Sequence, residues 1–166
     1  MQAAYARLAT QNPYVVAGAT AGGILCSADV AAQSLNDAWD PQRTLSLTVF
    51  GIVYYGGPCK FLYLAYDKYI TNSVAKMVAD VYVHSPLMLI PSFYAITGAL
   101  KGETTAQIWI HLKTEWREAV LGTALYWTPI QLVCFRFVPQ HSRIAFVSAV
   151  SFCHKVWLSY LSNRDS

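Results

Sequence analysis

VYVHSPLMLIPSFYAITGAL, residues Val81–Leu100, is a run of twenty positions without an Asp, Glu, Lys or Arg. At a helical rise of about 1.5 Å per residue it is long enough to cross a hydrocarbon core of about 30 Å. Four further apolar segments flank it: Tyr14–Leu35, Thr44–Tyr66, Ala119–Val138 and Ile144–Leu161, the last interrupted by His154 and Lys155. They are joined by short connections whose Asp40-Pro41 and Pro139 stop helices. The pattern predicts an all-α integral membrane bundle of four to five transmembrane helices in a single domain, residues 1–166.

Composition agrees. Hydrophobic residues make up 55% and charged residues 13% of the 166 positions, too little polar surface to solvate a soluble domain. The net charge of +3 is scattered, with no basic stripe of the kind nucleic acid requires, so no nucleic-acid partner is expected. Cys26, Cys59, Cys134 and Cys153 lie in apolar segments without CxxC spacing and read as small buried hydrophobes. His84, His111, His141 and His154 form no HExxH, and neither GxSxG nor a glycine-rich phosphate loop occurs. No enzymatic activity, cofactor or metal is expected. The first thirteen residues carry only Arg7 and no cleavage-site pattern, so no removable targeting peptide is expected.

Between Thr105 and Glu118, Ile108, Trp109, Leu112 and Trp116 share one helical face, while Lys113, Glu115, Arg117 and Glu118 are too dense for a span. An interfacial amphipathic helix anchored by Trp109 and Trp116 is expected, the alternative being a lid over other helices. If all five segments span, basic residues divide evenly between the two sides, and orientation is not fixed.

Polar residues inside the apolar segments are the candidate site. Gly18, Gly22, Leu25, Asp29 and Gln33 recur at three- and four-residue spacing, placing a close-packing Gly18-xxx-Gly22 pair and an acid on one stripe. A carboxylate facing lipid costs about 2.5–3.5 kcal/mol on insertion scales, so Asp29 must face protein or water. Two readings are open: Asp29 lines a solute path, or it ties two helices through Arg43 or a backbone amide. Lys60 follows Gly56-Gly57-Pro58, which should break or kink the second helix beside a cavity; a snorkelling lysine is the alternative. Pro86, Pro91 and Pro129 invite further kinks.

Tyr5-xx-Leu8-xxxx-Pro13, Asp29-xxx-Gln33, Asp40-xx-Arg43-Thr44, Gly51 and Gly57-Pro58 before Leu62-Tyr63 resemble the first half of the Mpv-seventeen and 22-kDa peroxisomal membrane protein family. Asp80 six residues before Pro86, Gly98-Ala99-Leu100-Lys101-Gly102, Trp109, Trp116, Trp127 and Gln131-Leu132-Val133-Cys134-Phe135-Arg136-Phe137-Val138-Pro139 followed by Arg143 resemble its second half. The chain departs from the family pattern at Ala28, Leu62, Val81 and Cys134, and its Pro129 falls one place late. The family's closing Trp-x-x-Tyr-Leu-Ser matches Trp157, Tyr160, Leu161 and Ser162 only with an insertion.

The resemblance implies a multi-pass protein of the mitochondrial inner membrane or, alternatively, the peroxisomal membrane, some of whose relatives are described as channels for small solutes. In that reading Asp29, Gln33, Lys60 and Gln131 line the interior, Gly18 and Gly22 pack helices, and Arg43, Asp80 and Arg143 are polar ties. The other reading is an accessory subunit of a larger mitochondrial membrane complex. Expected partners are membrane lipids and either other subunits of such a complex or further copies of the chain.

Overall fold

The computed structural model describes residues 2–35 and 39–164, with side chains over 3–35 and 39–153. The side chains of His154, Lys155, Trp157, Tyr160, Leu161 and Ser162 therefore lie outside the described residues. Among the described residues the structure is entirely helical: α1 (Gln2–Gln11), α2 (Pro13–Ser34), α3 (Pro41–Tyr69), α4 (Ser73–Leu100), α5 (Thr105–Phe137) and α6 (Arg143–Arg164). Among the described residues three helices, α2, α3 and α4, are long and apolar enough to cross a bilayer, where four to five spans were expected. The segment Ala119–Val138 falls inside α5, where Thr123, Tyr126, Trp127, Thr128 and Gln131 dilute its apolar character. The four cysteines are free thiols.

Local sequence explains the helix ends. Pro13 and Pro41 open α2 and α3 at first-turn positions that need no amide donor, and the Asp40 carboxylate caps α3 by accepting from Arg43 N at 3.0 Å. Asn72 Oδ1 caps α4, accepting from Val74 N at 2.8 Å and Ala75 N at 3.2 Å. α4 ends in a Schellman turn: Gly102 adopts φ +79°, its N–H donates to Ala99 O at 3.1 Å, and Glu103 N donates to Gly98 O at 3.0 Å. Thr104 then opens α5 with a capping box to Gln107.

Two compact units make up the chain: Met1–Lys60 with Ile144–Ser166, and Phe61–Arg143. In the first, α2 packs on the N-terminal part of α3 through four glycines. A Cβ on Gly18 would lie 2.7 Å from Ile52 O, one on Gly51 2.9 Å from Gly22 Cα, and one on Gly56 2.8 Å from Gly18 Cα. Gly18 and Gly22 are the close-packing pair expected from their spacing, and Gly51 and Gly56 are their partners. α2 and α6 also flank an apolar cleft of about 330 Å³ lined by Gly23, Ile24, Ser27, Ala149, Phe152 and Cys153.

α3 does not break at Gly56-Gly57-Pro58. It widens into a π-helix over Gly51–Cys59 and resumes as α-helix at Lys60. α4 does the same over Ala79–Leu89 around Pro86. A proline inside an α-helix removes one donor and clashes with the carbonyl four residues back; a wider turn moves that carbonyl aside and keeps the chain helical. α5 stays α-helical through Pro129.

In the second unit α4 pairs with α5, and the stretch expected as an interfacial helix is part of a longer element. Residues 105–118 are helical, but they form the first part of a continuous α5 of 33 residues, which neither Gly122 nor Pro129 ends. α5 runs antiparallel along α4: Ile108 packs against Gly98, Tyr94 OH donates to Glu115, Trp116 Nε1 donates to Pro86 O at 3.1 Å, Tyr82 OH lies 3.0 Å from Thr128 Oγ1, and Gln131 reaches Asp80. Trp109 is 63% exposed. Trp116 instead serves a carbonyl at the middle of α4. Ile90 N donates to Ser85 O in the π-helical register, and the residue that would serve Pro86 O in that register is Pro91, which has no N–H. The indole takes the missing donor's place.

Candidate functional site

Three clusters gather most of the buried polar residues. In the first unit Asp29, fully buried, accepts at Oδ1 from Arg43 Nε (2.9 Å) and at Oδ2 from Thr44 Oγ1 (2.8 Å) and Gln33 Nε2 (2.6 Å). Gln33 Nε2 also reaches Asp40 O at 3.0 Å, and its Oε1 accepts from Asp40 N. Both oxygens of the acid are occupied, and Arg43 runs outward with its side chain 46% exposed. Of the two readings of Asp29, the geometry is that of a tie between α2 and α3, one turn before α2 ends.

Asp80, 3% exposed, centres the second cluster in the other unit. Its Oδ1 pairs with His84 Nδ1 at 2.8 Å, its Oδ2 accepts from Gln131 Nε2 at 2.7 Å, and Tyr63 OH also hydrogen-bonds the carboxylate. Gln131 Nε2 donates as well to Tyr63 OH at 2.7 Å, while its Oε1 is buried without a hydrogen-bond partner. Through these bonds Asp80 joins α4 to α3 and α5. His84 and Tyr63, which complete the cluster, were missed, although the four-residue spacing of Asp80 and His84 puts them on one helical face.

The third cluster closes the same unit where α3 ends and α5 gives way to Arg143. Arg143 Nη1 donates to both Asp67 oxygens at 2.7 Å, its Nε donates to Val138 O at 3.1 Å, and its guanidinium lies 5.1 Å over the Phe135 ring. Lys76 Nζ pairs with the same Asp67. Arg143 is a tie, then, with an acid that sequence reasoning did not single out.

The four residues expected to line one interior are divided. Asp29 and Gln33 share the first cluster and Gln131 belongs to the second. Lys60 is 2% exposed and so does not snorkel to the surface. A run of exposed charges, Lys113, Glu115, Arg117 and Glu118, lies instead on α5 beside the apolar C-terminal half of α4. Among the described residues no group of three or more His, Cys, Asp or Glu is arranged to hold a metal ion.

Residues 98–161 match the model of the Mpv17 / PMP22 family. The chain is 30% identical over 168 residues to the mitochondrial inner membrane protein Mpv17 of Danio rerio, covering 95% of this chain and 93% of that protein. It is 29% identical over 169 residues to Mpv17 of Homo sapiens, covering 96% and 94%. Against peroxisomal membrane protein 2 of Bos taurus the identity is 22% over 173 residues, covering 96% and 86%. No solved structure matches significantly. With its all-helical architecture and near-complete coverage by these relatives, the chain belongs to the Mpv17 / PMP22 family of membrane proteins.

Proposed function

We propose that this chain is a non-enzymatic, multi-pass protein of the mitochondrial inner membrane that lets small hydrophilic solutes cross it. The location is the one in the names of its Mpv17 relatives; the peroxisomal relative makes the peroxisomal membrane the alternative. One observation carries the permeation reading: Lys113, Glu115, Arg117 and Glu118 are exposed on a helix held alongside α4, a candidate membrane span. Charged side chains at such a level face water or protein rather than lipid, since lipid exposure costs about 2.5–3.5 kcal/mol each on insertion scales. A charged helix face beside a membrane helix is what a wettable wall requires.

The test is reconstitution of folded protein into liposomes loaded with small sugars and salts. Release is expected, and reversing Arg117 and Lys113 to Glu together should shift the balance towards cations. Vesicles that stay tight around folded protein would overturn the reading.

The second reading, an accessory subunit of a larger mitochondrial membrane complex, is favoured by the saturation of Asp29 by Arg43, Thr44 and Gln33, which is structural in character. In that case the native protein comigrates with a large complex on a mild-detergent gel, and Asp29→Leu disturbs that assembly. A permeation protein migrates alone or as a homo-oligomer.

A further inference from the structure

The acids of the three clusters, Asp29 and Asp80 buried and Asp67 partly exposed, differ in what neutralises them. Asp29 is paired with the guanidinium of Arg43, and Asp67 with that of Arg143 and with Lys76. Among the described residues Asp80 is hydrogen-bonded to no Lys or Arg: its partners are His84, Gln131 and Tyr63. Groups facing it come from three helices, His84 from α4 itself, Tyr63 from α3, and Gln131 and Cys134 from α5; the only one that gains a positive charge is the imidazole. Both side chains of the Asp80–His84 pair are about 5% exposed or less, the acid 4% and the imidazole 5%. Asp80 lies eight residues into the 28-residue α4, and an isolated ionised carboxylate in such an environment is costly.

We propose that Asp80 and His84 form a proton-binding site within the membrane helix α4, in which one bound proton supplies the counter-charge that arginine or lysine supplies to the other two acids. The proton resides on His84, giving an imidazolium–carboxylate pair, or on Asp80, giving a neutral acid beside a neutral imidazole; either way the pair carries no net charge. Losing it leaves an ionised carboxylate held only by neutral donors, the Tyr63 hydroxyl, the Gln131 amide and the remaining N–H of the imidazole. The orphan Oε1 of Gln131 lies on a side chain that touches the acid directly, so the site also holds an unused acceptor for a water or hydronium beside the pair. The proposal does not depend on solute permeation.

The experiment uses the full chain in lipid nanodiscs at pH 7.5. A variant with His111, His141 and His154 replaced by Gln leaves His84 as the sole histidine, so its protonation state is read directly from its ¹⁵N resonances. The infrared difference between this protein and its Asp80→Asn form reports whether Asp80 is a carboxylic acid. An imidazolium, or a neutral imidazole together with a carboxylic acid, supports the site. A neutral imidazole beside an ionised Asp80 overturns it. In the Asp80→Asn form the imidazole is expected to be neutral; an imidazolium that survives the loss of the acid also overturns the proposal, since its proton would then answer to another group.

Discussion

Single residues act here mainly by closing accounts that the backbone or a neighbouring charge leaves open. Trp116 is the plainest case, since its indole serves the carbonyl that Pro91 leaves without a donor. Trp116→Phe keeps an aromatic ring, though a smaller one, and removes the donor; a buried acceptor left unpaired costs about 1–3 kcal/mol, so the thermal midpoint in detergent should fall by several degrees. An unchanged midpoint would mean that the bond contributes nothing. Arg43 plays the same part for Asp29. Arg43→Gln removes the charge from a fully buried acid that still keeps Thr44 and Gln33, and a loss of about 1–3 kcal/mol is expected, with Asp29→Asn in the same background restoring part of it. No recovery in the double variant would show that the two residues act independently. Asp29, Arg43, Asp80 and Arg143 were legible as polar groups that must be satisfied. Their partners Thr44, His84, Tyr63 and Asp67 were not, because a polar residue looks the same in sequence whether it faces water or a buried acid.

Among the elements, the α2–α3 crossing shows what helical periodicity conveys and what it hides. Gly18 and Gly22 are four apart and read at once as a packing pair. Gly51 and Gly56 are five apart, which in an α-helix would put them on different faces. The π-helical turns over Gly51–Cys59 add a residue per turn, so that a five-residue spacing meets a four-residue one. A pattern search tuned to the α-helix passes over it. The same geometry separates neighbouring glycines: a Cβ at Gly56 would meet Gly18 Cα at 2.8 Å, whereas one at Gly57 meets nothing within 4 Å. Gly56→Ala should therefore force the helices apart and lower the thermal midpoint. Gly57→Ala should leave it unchanged or raise it, since removing a helical glycine contributes about 0.5–1 kcal/mol. Equal effects at the two positions would refute the close crossing.

At the scale of the whole molecule, the apolar helices were readable from runs such as Val81–Leu100, while the placement of the charged segment was not. Residues 105–118 look interfacial because their tryptophans and their charges suit a headgroup layer. What decides their place is a helix that runs on through Gly122 and Pro129 and a ladder of contacts from Gly98 down to Asp80, neither of which periodicity reports. The two arrangements differ measurably. Trp109 and Trp116 are seven residues apart, about 10 Å along a helix axis. In a helix lying in the membrane plane both tryptophans read the same depth. In a helix running beside α4, Trp116 lies level with Pro86, the fourteenth of the 28 residues of α4, and reads about 10 Å deeper than Trp109. Two single-tryptophan proteins, each with the other four tryptophans changed to Phe, should then differ in quenching by lipids labelled at graded depths, with Trp116 responding to labels well down the acyl chain and Trp109 to labels near the headgroup. Equal depths would return the segment to the interface and remove the charged face of α5 from the membrane, and with it the observation on which the permeation reading stands.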